Sequence, residues 1–225
     1  GKMDVRPILL SFQTAIIAIL FTFVLGTGVA YIVFRLKNRK LKILLNSLFT
    51  LPLVLPPTVF GFFLLTIFGV QQPVGQFLLD FFAIQVVFSW PATVIAAVAV
   101  SFPLMYRSAL TAFEQMDSEL LAVAQTLGFS ESRYFRKIAL PLSMNGLLAG
   151  GVLAFARGLG EFGATTMLAG NIAGKTRTLP LAIYSAVESG DLRLANQYVV
   201  IMLLLCLIIL FFTEFFSQRA WRRSE

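Results

Sequence analysis

Long stretches without a single charged residue alternate along this chain with short basic segments. Residues 7–34 form the first such stretch. A helix that crosses hydrocarbon needs about 20 mostly apolar residues, so this pattern predicts a transmembrane helix. A second stretch, residues 43–79, is too long for one helix, and Gly69, Gln71, Gln72, Pro73 and Gly75 predict a break near Val70. Residues 92–113, 138–156 and 194–213 complete a set of five predicted spans. Residues 178–187 are apolar but too few to cross, and are expected to form a partly embedded helix.

Composition supports the same class. Of 225 residues, 58% are hydrophobic and 13% charged, against about 25% charged in soluble domains. A soluble fold of this length could not hide that much apolar surface, so the surplus faces lipid. The expected fold is all-α: a polytopic transmembrane helical bundle of about five spans, forming one domain over residues 1–225. The first apolar run is too long for the core of a signal peptide, and no small-residue cleavage pattern follows it.

Charge placement predicts an orientation. The net charge is +7, which in a soluble protein would raise nucleic acid as a partner; here clustering of basic residues in cytoplasmic loops accounts for it. Arg35, Lys37, Arg39, Lys40 and Lys42 fill the first loop, Arg107, Arg133, Arg136 and Lys137 flank the third connection, and Arg219, Arg222 and Arg223 fill the tail. Residues 71–91 have no Lys or Arg. The N-terminus is therefore expected outside and the C-terminus in the cytoplasm, with the basic residues between Arg157 and Arg193 fitting this rule poorly. The chain has no histidine, which excludes a Ser-His-Asp hydrolase and a His-ligated zinc enzyme. Its lone Cys206 lies in an apolar run and offers no disulfide framework. No catalytic or metal-binding residues are expected.

The third connection departs from an ordinary membrane loop. Asp117 or Ser118 can cap a helix in which Leu120, Ala124 and Leu127 make an apolar stripe. Gly128 supplies a left-handed stop, Ser130 can start another helix, and Pro141 comes early in the next span. The result is a short amphipathic helix over 117–137, whose apolar face either fits a groove on a partner or lies in lipid headgroups.

Two intramembrane features carry candidate chemistry. Arg157 and Glu161, four residues apart, share a helical face and can pair. Charged residues at membrane depth usually face the bundle interior or water, so the pair is either a pathway element for an anion or a structural tie between helices. Pro52, Pro56 and Pro57 interrupt the second span, as a gate helix or as a packing kink, and Thr58 could offer a hydroxyl to an oxyanion. Gly146, Gly150 and Gly151 allow close helix contact.

Gly128, nine residues, Ile138, one residue, then Leu140–Pro141 resembles the signature cytoplasmic loop of ABC importer permeases. The residues around Pro56–Pro57, the run from Phe155 to Thr165 containing Arg157-Gly-Leu-Gly-Glu161-Phe-Gly, and the run from Gly174 to Tyr184 resemble the molybdate permease subunit, over nearly the whole chain. The resemblance implies a coupling helix that docks on an ATPase subunit through Glu119, Leu120, Ala124, Leu127, Gly128 and Phe129. The family usually has an acidic residue six or seven positions before the glycine; Ala122 and Leu121 stand there, and Glu119 is one turn earlier. The resemblance also implies a pathway through Pro56, Pro57, Thr58, Arg157 and Glu161. Expected partners are a second copy of the chain, two cytoplasmic ATP-binding subunits that hold ATP and Mg, and an extracytoplasmic oxyanion-binding protein. No phosphate-binding Gly-x-x-x-x-Gly-Lys-Ser/Thr loop occurs, so no cofactor is expected in this chain. Sulfate import is the alternative, since sulfate permeases share the Arg…Gly-Glu-Phe-Gly block. A stand-alone secondary transporter fits less well, because no internal repeat is visible.

Overall fold

The computed structural model describes residues 3–117 and 119–221, with side chains described as far as Phe211 and at Thr213. The chain forms α1 (Arg6–Arg35), α2 (Arg39–Val54), α3 (Pro57–Phe68), α4 (Pro73–Phe82), α5 (Trp90–Glu114), α6 (Glu119–Thr126), α7 (Glu131–Tyr134), α8 (Leu140–Leu159), α9 (Gly163–Ala169), α10 (Leu179–Glu188) and α11 (Leu192–Trp221). A π-helical turn, Phe135–Ala139, joins α7 to α8. Among the described residues, four helices are long and apolar enough to cross a membrane: Arg6–Arg35, Trp90–Glu114, Glu131–Leu159 and Leu192–Phe211. Counting the bent pair α2–α3 as one more gives five, as the pattern predicts. Arg219, Arg222 and Arg223, expected in a cytoplasmic tail, lie outside the described side chains.

The second apolar stretch stops where its glycines predict, and it also bends at its prolines. Besides the stop after Phe68, α2 and α3 meet at a bend of 114° between Val54 and Pro57. Leu55 and Pro56 both have extended backbones, at φ −70°, ψ 139° and φ −53°, ψ 134°. Each precedes a proline, and the proline ring disfavours helical geometry in the residue before it. Pro52 by contrast stays inside α2.

The fourth span begins at Glu131, seven residues before its apolar run starts. Ser130 caps it by accepting from the Arg133 N–H. The wide π turn lies just before Pro141, whose ring crowds the carbonyl four residues back and whose missing N–H leaves that carbonyl without its usual donor.

The bundle is organised around α5. Side by side with α1, it runs in parallel at one fixed offset: Thr14 bonds Thr93 at 3.0 Å and Thr22 bonds Ser101 at 3.1 Å, both buried. Gly26 continues this register, since a Cβ there would lie 2.7 Å from Met105 Cγ. On another side α8 approaches through its glycines. A Cβ on Gly146 would meet Ala112 at 2.7 Å, one on Gly150 would meet Ser108 at 2.4 Å, and one on Gly151 would meet Phe23 of α1 at 3.3 Å. Met105, Tyr106, Phe113 and Leu147 are fully buried at this three-helix junction. Short α10 sits between α1 and α11, where the Leu179 N–H donates to Ser11 Oγ at 2.7 Å and the Tyr198 hydroxyl donates to the Asp4 carbonyl at 2.9 Å. Cys206 is half-buried on α11 with a free thiol.

The close approach of α8 to α5 is directly testable. Gly150→Ala forces its methyl into Ser108 and should destabilise the purified protein by about 1–3 kcal/mol, read as a lower thermal midpoint in detergent. Gly28→Ala on α1, where a Cβ meets nothing within 4 Å, should leave the midpoint unchanged or raise it by up to about 1 kcal/mol equivalent. Equal effects at both positions would rule out close α8–α5 contact.

Candidate coupling helix and translocation site

The connection between α5 and α8 folds as a capped helix clamped to the bundle. At its start the Glu119 N–H donates to Asp117 Oδ1 at 2.9 Å; Ser118, the other expected cap, lies outside the described residues. Its end is a Schellman motif. Gly128 takes φ +76°, its N–H donates to the Gln125 carbonyl at 3.0 Å, and the Phe129 N–H donates to the Ala124 carbonyl at 3.0 Å. A side chain at position 128 would strain this turn.

The expected apolar stripe divides in two. Ala124 is 2% exposed and packs, with half-buried Leu120, Leu121 and Phe129, into the core cluster that also contains Tyr106, Phe113 and Leu147. Leu127 points the other way, 71% exposed, and Val123 beside it is 53% exposed. Leu120, Ala124 and Leu127 therefore do not form one docking face: 120 to 124 is a full turn along one side, whereas 127 falls to the edge and out. Glu119 and Gly128 are exposed with Leu127. The side facing away from the bundle is the one open to a partner.

Sequence reasoning missed what holds the base of this handle. Arg35, at the end of α1, grips Glu131 with two bonds, Nε to Oε1 at 2.6 Å and Nη2 to Oε2 at 3.3 Å, and the Tyr31 hydroxyl donates to the same Oε1 at 3.2 Å. A second strut pairs Lys42 with Glu114 at 2.7 Å. These contacts join residues 72 or more apart in the chain, between α1, α2, α5 and α7, only through pairing in space, so no local pattern reveals them. Both pairs put the first loop and the third connection at the same end of the bundle.

The two predicted pathway segments are brought together. α3 packs on α9 through glycines: a Cβ on Gly61 would lie 2.8 Å from Ala164 Cα, and one on Gly163 would lie 2.9 Å from Pro57 Cβ and 3.3 Å from the Thr58 N. Pro56, Pro57 and Thr58, all exposed, thus border the turn that carries Glu161. Arg157 lies in the last turn of α8, but Glu161 is beyond the helix, which ends at Leu159. The pair forms nevertheless, with Arg157 Nη1 to Glu161 Oε2 at 2.7 Å. The other carboxylate oxygen accepts the Ala164 N–H at 2.7 Å, so Glu161, 3% exposed, caps α9 while holding the arginine. Both of its oxygens are engaged within the chain. Arg157 spends one donor on this pair and keeps part of its guanidinium open, with 32% of the side chain exposed. Chemically the arrangement is a neutral pair that fixes the α8–α9 corner and can still offer N–H donors to an oxyanion.

A bundle that keeps a broken helix and an ion pair at depth, and carries a capped helix beyond its basic end, has the architecture of a polytopic membrane protein. The chain belongs to the family of binding-protein-dependent transport system inner membrane components, which matches it over residues 22–222. It is 45% identical over 208 residues to the putative molybdenum transport system permease protein YvgM of Bacillus subtilis (strain 168), covering 92% of this chain and 91% of that protein. It is 40% identical over 222 residues to the molybdenum transport system permease protein ModB of Haemophilus influenzae, covering 98% of this chain and 96% of that protein. Its fold is also that of a chain of the methionine ABC transporter MetNI in an inward-facing conformation, at TM-score 0.73 and 16% identity over 96% of this chain and 94% of that one. The chain is accordingly a membrane transport subunit.

The double duty of Glu161 predicts a graded series. Glu161→Gln keeps an acceptor for the Ala164 N–H but loses the ion pair, and Glu161→Ala loses both. The thermal midpoint of the purified protein should fall in the order Glu, Gln, Ala, with the last step near 1 kcal/mol for a lost cap. Identical midpoints for the Gln and Ala variants would refute the capping role.

Proposed function

We propose that this chain is the membrane-spanning subunit of an ATP-driven molybdate importer. Two copies frame one pathway, two cytoplasmic ATP-binding subunits drive it, and an extracytoplasmic oxyanion-binding protein delivers the substrate. The observation that carries the reading is the match to molybdenum permeases along more than 90% of both chains. Tungstate, a tetrahedral dianion like molybdate, is accepted by the same pathway. ATP and Mg belong to the partner subunits.

In this reading the C-terminus is cytoplasmic and the N-terminus outside, supported by the basic loops and by the Arg35–Glu131 and Lys42–Glu114 pairs that gather them at one end. Helix α6 is the coupling helix. Val123 and Leu127 provide its apolar docking face, Glu119 a polar contact, and Gly128 with Phe129 the cap that keeps it rigid. ATP-driven closure of the motor subunits displaces α6. The displacement reaches α5 and α8 together because Ala124 and Phe129 pack in the core those helices share. The α3–α9 contact beside Arg157 and the proline bend is then the gate, since two short helices held by glycine contacts can shift as a unit. Arg157 offers donors to the passing anion, while its pairing with Glu161 keeps the hold weak enough for release.

Uptake of labelled molybdate by cells carrying the whole transporter as their only route tests the substrate. Excess tungstate should abolish uptake and equimolar sulfate should leave it largely intact; stronger competition by sulfate than by tungstate would overturn the assignment. Leu127→Asp tests the docking face. The protein should insert normally, yet pull down less ATP-binding subunit and lose uptake by at least about tenfold, as removal of 1.4 kcal/mol or more of docking energy requires. Unchanged uptake would remove α6 from the coupling role.

A further inference from the structure

The bundle's outward-facing positions fall into two kinds. From residue 16 to its end, the exposed side chains of α1 are Ile16, Leu20, Phe21, Val24, Leu25 and Ile32, and between residues 200 and 208 those of α11 are Val200, Leu203, Leu204, Leu207 and Ile208. These are lipid faces. Central α5 differs: below Pro91 its exposed positions are Arg107, Thr111 and Glu114. They stand at i, i+4 and i+7, so they share one helix face. A face turned to acyl chains has no reason to be wholly polar, whereas a face turned to water does. Across from it, α2 contributes Lys42, paired with Glu114, and Asn46, which accepts from the Tyr106 hydroxyl.

The charges at membrane depth are unbalanced in a useful way. Near the other end of α5, Arg157 of α8 is matched by Glu161, and on this face Lys42 is matched by Glu114. Arg107 makes no hydrogen bond or ion pair among the described residues. It lies seven residues from the end of α5, about 10 Å along the axis, and so inside the bundle's cytoplasmic half rather than at its rim. Its positive charge is therefore available to an anion.

We propose that the Arg107–Thr111 face of α5 lines the aqueous exit of the pathway, and that Arg107 holds the tetrahedral oxyanion as it leaves. This rests on the importer reading above and adds the site where the anion last pauses. A single exposed guanidinium with a neighbouring hydroxyl gives a brief hold, which an exit requires. The same chemistry would also suit a lipid phosphate, and the experiment separates the two.

Cys206 is the chain's only cysteine, so Cys206→Ser gives a clean background. Thr111→Cys in that background is labelled, in vesicles open to the cytoplasmic face, with an anionic or a cationic methanethiosulfonate reagent. The cysteine should react, and the anionic reagent should be favoured about fivefold over the cationic one relative to free cysteine in solution, as one nearby positive charge implies. Adding Arg107→Gln should abolish the preference, and molybdate should slow labelling. Leu203→Cys on α11 should stay inert. An inert Thr111→Cys, as for a lipid or subunit contact, or labelling without charge preference and without molybdate protection, overturns the proposal. Molybdate and sulfate uptake by the Cys206→Ser parent is scored separately: a parent that carries molybdate while position 111 stays inert condemns this inference alone, and a parent that carries only sulfate condemns the substrate reading and the oxyanion assigned to Arg107 with it.

Discussion

The contact on which the rest of the structure depends is the parallel seam between α1 and α5. In lipid there is no hydrophobic force to drive two apolar helices together, since acyl chains are as apolar as leucine; small residues and interhelical hydrogen bonds do that work instead. Here Thr14–Thr93 and Thr22–Ser101 repeat the same offset along the seam, and Gly26 lets the backbones close on Met105 at the next step. A slip of one residue would strand the buried hydroxyls of Thr14 and Thr22, whose partners Thr93 and Ser101 also bond carbonyls of their own helix, and would take Met105 off the glycine that makes room for it. The register is therefore fixed, and with it the position of everything attached to α5.

Four other elements are built onto that pair. The glycines of α8 seat against Ala112 and Ser108, α9 and α3 lock together at Gly61 and Gly163, and α2 leans on α5 through Phe49, Phe102 and Tyr106. The handle at α6 shares a core with this junction rather than hanging free: Ala124 and Tyr134 are buried among Met105, Phe113 and Leu147. The Asp117 cap and the Lys42–Glu114 pair hold the start of α6, and the turn at Gly128 with the Arg35–Glu131 clamp holds its far end. Helix α6 thus shares one packed core with α1, α5 and α8.

Much of this was legible in order along the chain. Charge-free runs located the spans because the thickness of hydrocarbon sets a length that apolar sequence must fill. Gly128 marked its own turn because few residues tolerate positive φ, and Arg157 and Glu161 announced a pair because neither could stay alone at depth. Other features were misread for definite reasons. Of the three prolines expected to interrupt the second span, Pro56 and Pro57 make the sharp bend while Pro52 stays inside α2, since only the consecutive pair unwinds two residues in a row. Leu120, Ala124 and Leu127 read as one stripe because helical spacing gives the angle between side chains but not which side meets the bundle. Glu161 read as helical because the four-residue spacing of the pair outweighed the stop signal of Gly160, the C-cap at which α8 ends.

The sequence by itself determined that this is an all-helical membrane protein with about five crossings, where its handle ends, and which family it resembles, because these follow from local composition, backbone preference and motif spacing. Only the tertiary structure decided that the handle's outward face is Val123 and Leu127, that Arg35 reaches Glu131, that the proline bend sits against Gly163, and that Arg107 opens on a polar face of an otherwise enclosed helix. Each of those joins residues distant in the chain, and which side of a helix is covered depends on its neighbours rather than on its own residues.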